Sequence, residues 1–454
     1  MKAWHGLVPV FDEKNLVSLA GLVPVLGLGQ AAGLDDLIAR RLTLGAANVV
    51  GKVRTVLAGM LAGADSIDDL DILRAGATSD LLAGLRAPST IGTFLRSFTH
   101  GHVLQLHAVN RGLLTGLQTR VPDLVAGGDL AFVDLDDTVR EVHGYAKQGA
   151  GYGYSKVFGL NALIATISTP TSSPVIAECS LRRGATRSGK GANWHLARAL
   201  TTCAAIHPGR VWVRGDAAFA TYKNVKTTLD AGAWFSFTVP MWKTVVAAIS
   251  QIPEDAWTPI VYPRAVRDED TGELISDAQV AQNEFVAFTS RPKTEQVTCR
   301  LVVRRVKRLG AAPANAAGQG ELFTTWRHHA FITNTTLDSV GADAAHRGHA
   351  IVEQVIAELK DGPLAHLPSG KLAANGAWLA CTVLAFNLAR AAAHGAGLAR
   401  ARAATIRTKI VAVPARLART GRRMVMHMPE DWPWAPAWEA LWDTATGPPK
   451  PATT

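Results

Sequence analysis

Cysteine is scarce, with four residues at 179, 203, 299 and 381 in a chain of 454. None sits in a CxxC pair or near a His-x-x-His partner. Neither a disulfide framework nor a structural zinc site is expected, and this usage suits a reducing cytosol. Charge is also sparse, at 19% against 48% hydrophobic residues, which excludes a mostly disordered chain. Acid is the scarcer sign: 37 Asp plus Glu face 47 Lys plus Arg, leaving a net charge of +10 and a pI near 9.6. That imbalance favours an anionic partner, of which nucleic acid is the commonest. The first residues lack a secretory pattern, because Asp12 and Glu13 interrupt it early. One uncharged run, Leu372–Ala389, approaches the length of a membrane span. It is rich in Ala and holds Asn375, Thr382 and Asn387, so it reads as a buried helix. No membrane contact is expected, and the location is expected to be cytoplasmic.

The pattern divides the chain. Over residues 1–125, apolar residues recur at spacings of three and four in Ala32–Leu42, Val53–Ala64 and Ile67–Arg74, predicting helices. Pro88-Ser89-Thr90 caps another. With Arg96, Arg111 and Arg120, this helical region is a candidate DNA-binding domain. From 126 to 239 the order becomes α/β: Leu130–Leu135, Leu160–Ile167, Pro174–Leu181, Arg210–Arg214 and Trp234–Val239 read as strands, with helices at Trp194–Ala205 and Phe219–Leu229. Residues 240–338 hold short β-like runs, Ile260–Tyr262, Glu284–Thr289, Thr298–Val306 and His329–Thr333, and read as a β-rich insertion. Helical pattern returns over 339–397, starting with Ala344–Lys360. Residues 398–454 form a basic C-terminal segment, where Leu398–Val425 carries Arg416, Arg419, Arg422 and Arg423 among eight cationic residues and no acid.

Acids at strand ends carry the best chemistry. Asp136 closes the first strand, Asp216 closes the fourth, and Glu353 lies on the helix after the insertion. Carboxylates converging on one sheet edge make a hard oxygen site suited to Mg²⁺ or Mn²⁺. Two such ions about 3.5–4 Å apart suit phosphodiester chemistry. Two other patterns compete. His346, His349 and Glu353 place two imidazoles and a carboxylate on one helical face, as in a transition-metal site, but without HExxH. Gly184–Lys190 reads GxxxxGK between a strand and a helix, yet Gly191 stands where Ser or Thr would meet Mg²⁺. No nucleotide cofactor is expected.

At these residues the chain resembles the DDE transposases of bacterial insertion sequences, the thirteen-eighty family of the standard series. The motifs are DLDDT (Asp134–Thr138), the GYAKQGAGYGYSK loop, VRGDAAF (Val213–Phe219) and HAIVEQVIAELKDGPLAHLPSG (His349–Gly370). The resemblance covers nearly the whole chain. It implies a mixed-sheet α/β fold of ribonuclease H type, interrupted by the β-rich insertion. It also implies Asp136, Asp216 and Glu353 as catalytic ligands of two Mg²⁺ ions, with Lys360 against a phosphate. Where related enzymes often carry Tyr and Arg before the glutamate, this chain has His346 and His349 with Arg347 between them, and phosphate contact would fall to these. The implied partners are duplex DNA, as terminal inverted repeats and target, and at least a second copy of the chain at the nucleoid. An inactive or repurposed DNA-binding protein and a related metal-dependent nuclease are the alternatives.

Overall fold

The β-branched and aromatic runs after residue 128 pair into one ten-stranded mixed sheet. The computed structural model describes residues 6–125, 128–144, 146–261, 278–307, 326–421 and 423–447. The main strands are β1 (Leu130–Glu141), β2 (Phe158–Ser168), β3 (Val175–Arg183), β4 (Arg210–Gly215), β5 (Trp234–Val239), β6 (Ala278–Ala287), β7 (Val297–Lys307) and β8 (Trp326–Thr333). Their order is β3-β2-β1-β4-β5-β8-β7-β6, with Gly151–Tyr152 and Thr258–Ile260 at the margins. The first two pairings are antiparallel, β1–β4 and β4–β5 are parallel, and the rest are antiparallel.

The stretch expected as a separate insertion therefore continues the sheet. Strand β8 joins β5 from Ala330↔Val239 to Thr333↔Ser236, so β6–β8 extend the layer that carries β1 and β4. Tyr262, in one expected run, lies outside the described residues.

Six helices frame the sheet's working part: α1 (His100–Arg120), α2 (Ala192–Ile206), α3 (Tyr222–Asp230), α4 (Ser339–Arg347), α5 (Ile351–Lys360) and α6 (Leu372–Gly395). Odd-numbered β1 residues Val133 and Leu135 face the core that α1, α2 and α6 share. On the other face, Val352, Val355, Ile356 and Leu359 of α5 pack on Leu160, Ala162 and Ile164 of β2. Helix α6 is apolar on every side because it is enclosed on every side. By length and composition it could cross a membrane, but 89% of its most apolar stretch is buried inside the protein. Its polar residues serve edge strand β3, whose pairing with β2 shifts register beside Ile176. The Ile176 N–H donates to Asn387 Oδ1 at 2.8 Å, and the Ile176 carbonyl accepts from Asn387 and Asn110.

The boundary expected at residue 125 divides no core. Glu178 of β3, almost fully buried, is ringed by His107 and Arg111 of α1 and by Arg198 of α2, at 3.0, 2.9 and 2.8 Å. Arg111 is thereby a structural residue, as is Arg120, which donates to the Gly447 carbonyl at 2.7 Å. Arg96 alone of the three is exposed. The basic C-terminal segment forms a hairpin, Ala415–Thr420 with Arg423–His427, capped by Leu16–Val17 on its other edge. Arg416, Arg419 and Arg423 are exposed on it, and Arg422 lies outside the described residues.

Burial alone would raise the Glu178 carboxyl, but its three bases outweigh burial and pull it down to about 2, from 4.5. A carboxyl lowered on folding stabilises the fold above pH 4.5, and that contribution is lost as pH falls toward 2. Glu178→Ala would leave buried His107 and the half-buried Arg111 and Arg198 without their acid and is expected to cost about 2–3 kcal/mol at pH 7, less than for a fully buried pair. Urea denaturation should show the deficit at pH 7 and a narrower gap at pH 3.

Candidate active site

Strands β1 and β4 run parallel in register from Leu130↔Arg210 to Leu135↔Gly215, and their pairing ends there. Asp136 and Asp216 are the first residues past that end. Both even-numbered positions point to the sheet face covered by α5, because side chains alternate along a strand. Strand β1 itself does not stop at Leu135, as the sequence suggested, but continues to Glu141 on the support of β2. The two strands separate, and the gap between them holds the carboxylates.

The same face is graded from apolar to open. Phe132 and Trp212, both buried, form its lowest row, with ring centroids 6.0 Å apart. Above them Arg214 makes a two-pronged pair with Asp134, Nε to Oδ1 and Nη2 to Oδ2 at 2.7 Å each, while stacking on Phe132 at 3.8 Å. Side-chain exposure is 3% for Arg214 and 0% for Asp134, so neither reaches a ligand. Burial alone would raise the Asp134 carboxyl, but Arg214 and His349 outweigh it and hold it below its ordinary value. The top row, Asp136 and Asp216, opens to solvent.

There the electrostatics reverse. The Asp136 carboxyl is pushed up to about 6, first by burial and then by the charges of Asp216 and Asp137. The backbone N–H of Asp137, at 2.7 Å from Oδ1, and the His349 ring oppose the rise. Asp216 is raised as well, with burial foremost, while accepting the Ala218 N–H at 2.9 Å as cap of a short turn. Two carboxylates raised chiefly by burial, Asp136 further by Asp216 and Asp216 by Asp137, suit a hard divalent cation, which would relieve both. Mg²⁺ is commonly held by one or two carboxylates, with water and substrate phosphate completing its shell.

Glu353 is exposed on α5, one helical turn beyond His349. Among the described residues no group of three or more His, Cys, Asp and Glu is close enough to hold a metal ion. Asp136 and Asp216 are brought together; Glu353 shares their side of the sheet without closing a three-ligand set. Lys360 is half-buried in the last turn of α5, seven residues after Glu353.

The residues before Glu353 turn inward more than expected. His346 stacks on Phe331 at 4.2 Å and engages Ser236 and Thr238 through its two nitrogens, at 2.9 and 3.0 Å. Burial drives it down to about 3, so the ring is neutral and belongs to the scaffold rather than to a phosphate contact. Arg347 donates to Asp343 at 2.8 Å. His349 reaches Asp134 Oδ1 with Nδ1 at 3.0 Å. Between α4 and α5 the helix tightens to a 3-10 turn, Gly348–Ala350, and Arg214 Nη1 donates to the Ala345 carbonyl just before it, at 2.5 Å. A Cβ on Gly348 would lie 2.7 Å from that same nitrogen.

Asp137 points to the opposite face and has another task. Its Oδ2 accepts from Arg182 and Asn161 at 2.5 and 2.7 Å, and its Oδ1 accepts from Ser188 at 2.9 Å. Arg182 also holds the carbonyls of Ser188 and Lys190, at 2.9 and 3.1 Å, so the GxxxxGK run is a loop pinned to β1. The one cue to this network in the sequence is the doubled acid Asp136-Asp137 facing an arginine-led loop.

A family model described as transposase DDE domain group 1 matches residues 7–444. Among solved structures, a similar chain is that of the piggyBac transposase synaptic complex with hairpin DNA, determined by cryo-EM. It shares 11% identity at a TM-score of 0.36, with 88% of this chain and 79% of that one covered. A comparison with curated proteins gave no match.

The raised carboxyl makes a signed prediction. Asp136 protonates near 6 when folded against 3.8 ordinarily, so its ionisation burdens the fold above pH 6 and that burden fades as pH falls toward 3.8. Without metal, Asp136→Asn should therefore stabilise the protein at pH 8 by roughly 1–2 kcal/mol and give little gain at pH 4. Denaturation in EDTA at both pH values checks this; equal effects at both would contradict it.

Proposed function

The chain belongs to the DDE-domain transposases of group 1, and from that premise we propose the following reaction and division of labour. The protein binds the terminal inverted repeats of its element, cleaves the ends, and joins the freed 3′-hydroxyls to target DNA. Asp136 and Asp216, with Glu353, would hold two Mg²⁺ ions, with Mn²⁺ able to substitute. Bound there, the ions would act as Lewis acids that activate the attacking oxygen and stabilise the leaving one. The observation that carries this reading is the pair of destabilised carboxylates at the ends of two adjacent parallel strands, in a chain of this family.

The protein's own groups do the positioning. Arg214 and Asp134 fix the spacing of the strands that carry the two carboxylates. Strand order β3-β2-β1-β4-β5, antiparallel twice and then parallel twice, supports a ribonuclease H-like core. Glu353, on the same side of the sheet, would complete the ligand set. Lys360 and Arg347 would meet the DNA backbone beside it. The exposed Arg416, Arg419 and Arg423 on the C-terminal hairpin would add phosphate contacts, together with Arg422, and these give affinity without sequence choice. Joining two ends calls for at least a dimer in the active complex, working on DNA in the bacterial nucleoid.

A labelled fragment bearing the gene's own flanking ends, incubated with Mg²⁺, tests the reaction. Wild type should nick at the ends. Asp136→Asn, Asp216→Ala and Glu353→Gln should each lose at least about a thousandfold in rate, roughly 4 kcal/mol of barrier, while still binding. End binding without cleavage in Mg²⁺ or Mn²⁺ would instead mark an inactive DNA-binding protein.

A further inference from the structure

Two glycine-rich loops form the surface beside the carboxylates. Residues 149–156 lead into β2, and residues 184–191 lead from β3 into α2. They are clasped backbone to backbone. The Gly184 N–H donates to the Gly149 carbonyl at 3.0 Å. A Cβ on Gly184 would lie 2.0 Å from the Gly159 carbonyl and 2.3 Å from that of Gly151, so only glycine permits the approach. Below, Arg182 and Ser188 tie the second loop to Asp137, the residue next to Asp136. The pair is thus held rigidly to the strand that bears the site.

What this base presents is unusual in two ways. Tyr152 is 63% exposed and Tyr154 fully so. The Tyr152 ring leans on Phe158 with centroids 5.2 Å apart, which sets its angle and leaves area open. Around them Lys156, Arg183, Arg187 and Lys190 are exposed, and none has an ion pair among the described residues. From 142 to 191 the sole acid is Glu178, which is buried and already paired. Unrelieved charge of one sign needs polyanion; flat rings left in water need another flat surface. Intact duplex satisfies the cations but hides its base faces, whereas unpaired DNA offers both.

We propose that this loop pair is a stacking platform for unpaired bases of single-stranded DNA, with Tyr152 and Tyr154 as the stacking rings. Lys156, Arg183, Arg187 and Lys190 hold the phosphates between them. The root of the platform lies at the end of β1, where the Val142 N–H meets the Phe158 carbonyl at 3.1 Å. Six residue steps of strand separate Val142 from Asp136, about 20 Å, or about six base steps of a DNA strand. A strand leaving the carboxylates would reach the rings within a few nucleotides. The inference rests on the DNA-processing reading above and adds a preference for melted ends.

Fluorescence anisotropy in EDTA tests it on the full chain, without catalysis. Two labelled DNAs of one sequence are compared, a blunt duplex and one with an unpaired end of about six to eight nucleotides. Wild type should prefer the unpaired end. Tyr152→Ala with Tyr154→Ala should weaken that binding about tenfold to a hundredfold. The blunt duplex should be bound unchanged, and the two Tyr→Phe changes should restore the preference. A wild type that binds the blunt duplex as tightly as the unpaired end would overturn the platform alone. Equal losses on both DNAs in the Ala variant would do the same, reducing the tyrosines to general surface. Binding to neither DNA would overturn the platform together with the reading beneath it.

Discussion

The buried pair of Arg214 and Asp134 sets the geometry on which the site depends. Two charges shut from water cost more than their attraction returns unless every polar atom is matched. Here the match is nearly complete: two parallel bonds to the carboxylate, a third from His349, and the last guanidinium nitrogen spent on the Ala345 carbonyl. Those partners lie on β1, β4 and the α4–α5 break, so satisfying one ion pair fixes three elements at once. Planar, forked bonding makes Arg214 irreplaceable by lysine in that position.

That constraint explains why the two upper carboxylates tolerate each other. Asp136 lies two residues after Asp134, and Asp216 two residues after Arg214, so each sits one step above a member of the pair on the same face. The pair holds the strands together at the very row below the place where their ladder ends. Without it, repulsion between Asp136 and Asp216 could be relieved by further splaying of β1 from β4. With it, both carboxylates stay half-enclosed at the ladder's end, where burial first and neighbouring acids second keep them raised and available to favour a cation. The neutral His346, stacked under the same helix break, seals the apolar side without adding positive charge beside Arg214.

Much of this was legible in residue order. The β1, β4 and β5 runs and the buried helix α6 follow from periodicity, and the strand-end positions of Asp136 and Asp216 from residue order, while the preference for Asp136 over Asp134 came from the family resemblance. The parts that escaped are long-range. Nothing local to Trp326–Thr333 says that it will pair with Trp234–Val239 and make the insertion part of the main sheet. Arg111 and Arg120 look like free DNA contacts because their partners, Glu178 and the Gly447 carbonyl, lie 67 and 327 residues away. His346 looked like a phosphate ligand for the same reason: Ser236 and Thr238, which claim it, are more than a hundred positions upstream. A basic residue is read as available until its acid is found, and sequence spacing finds such acids only within a helix turn or a hairpin.

The run Asp134-Leu-Asp136-Asp137 shows how one strand can meet three demands with one residue type. Alternation puts Asp134 and Asp136 on one face and Asp137 on the other. Depth then separates the first two: Asp134 lies in the buried row and must be paired, while Asp136 lies past the ladder's end and must not be. Asp137, facing α2, finds Arg182, Asn161 and Ser188 and becomes the anchor of a loop. Exchanging any two of these roles would need a different neighbour on β2 or β4, since the chemistry of the three side chains is identical. Function along this strand is therefore assigned by position in the sheet, and the motif Asp-Leu-Asp-Asp-Thr is specific because three independent packing conditions have to hold within four residues.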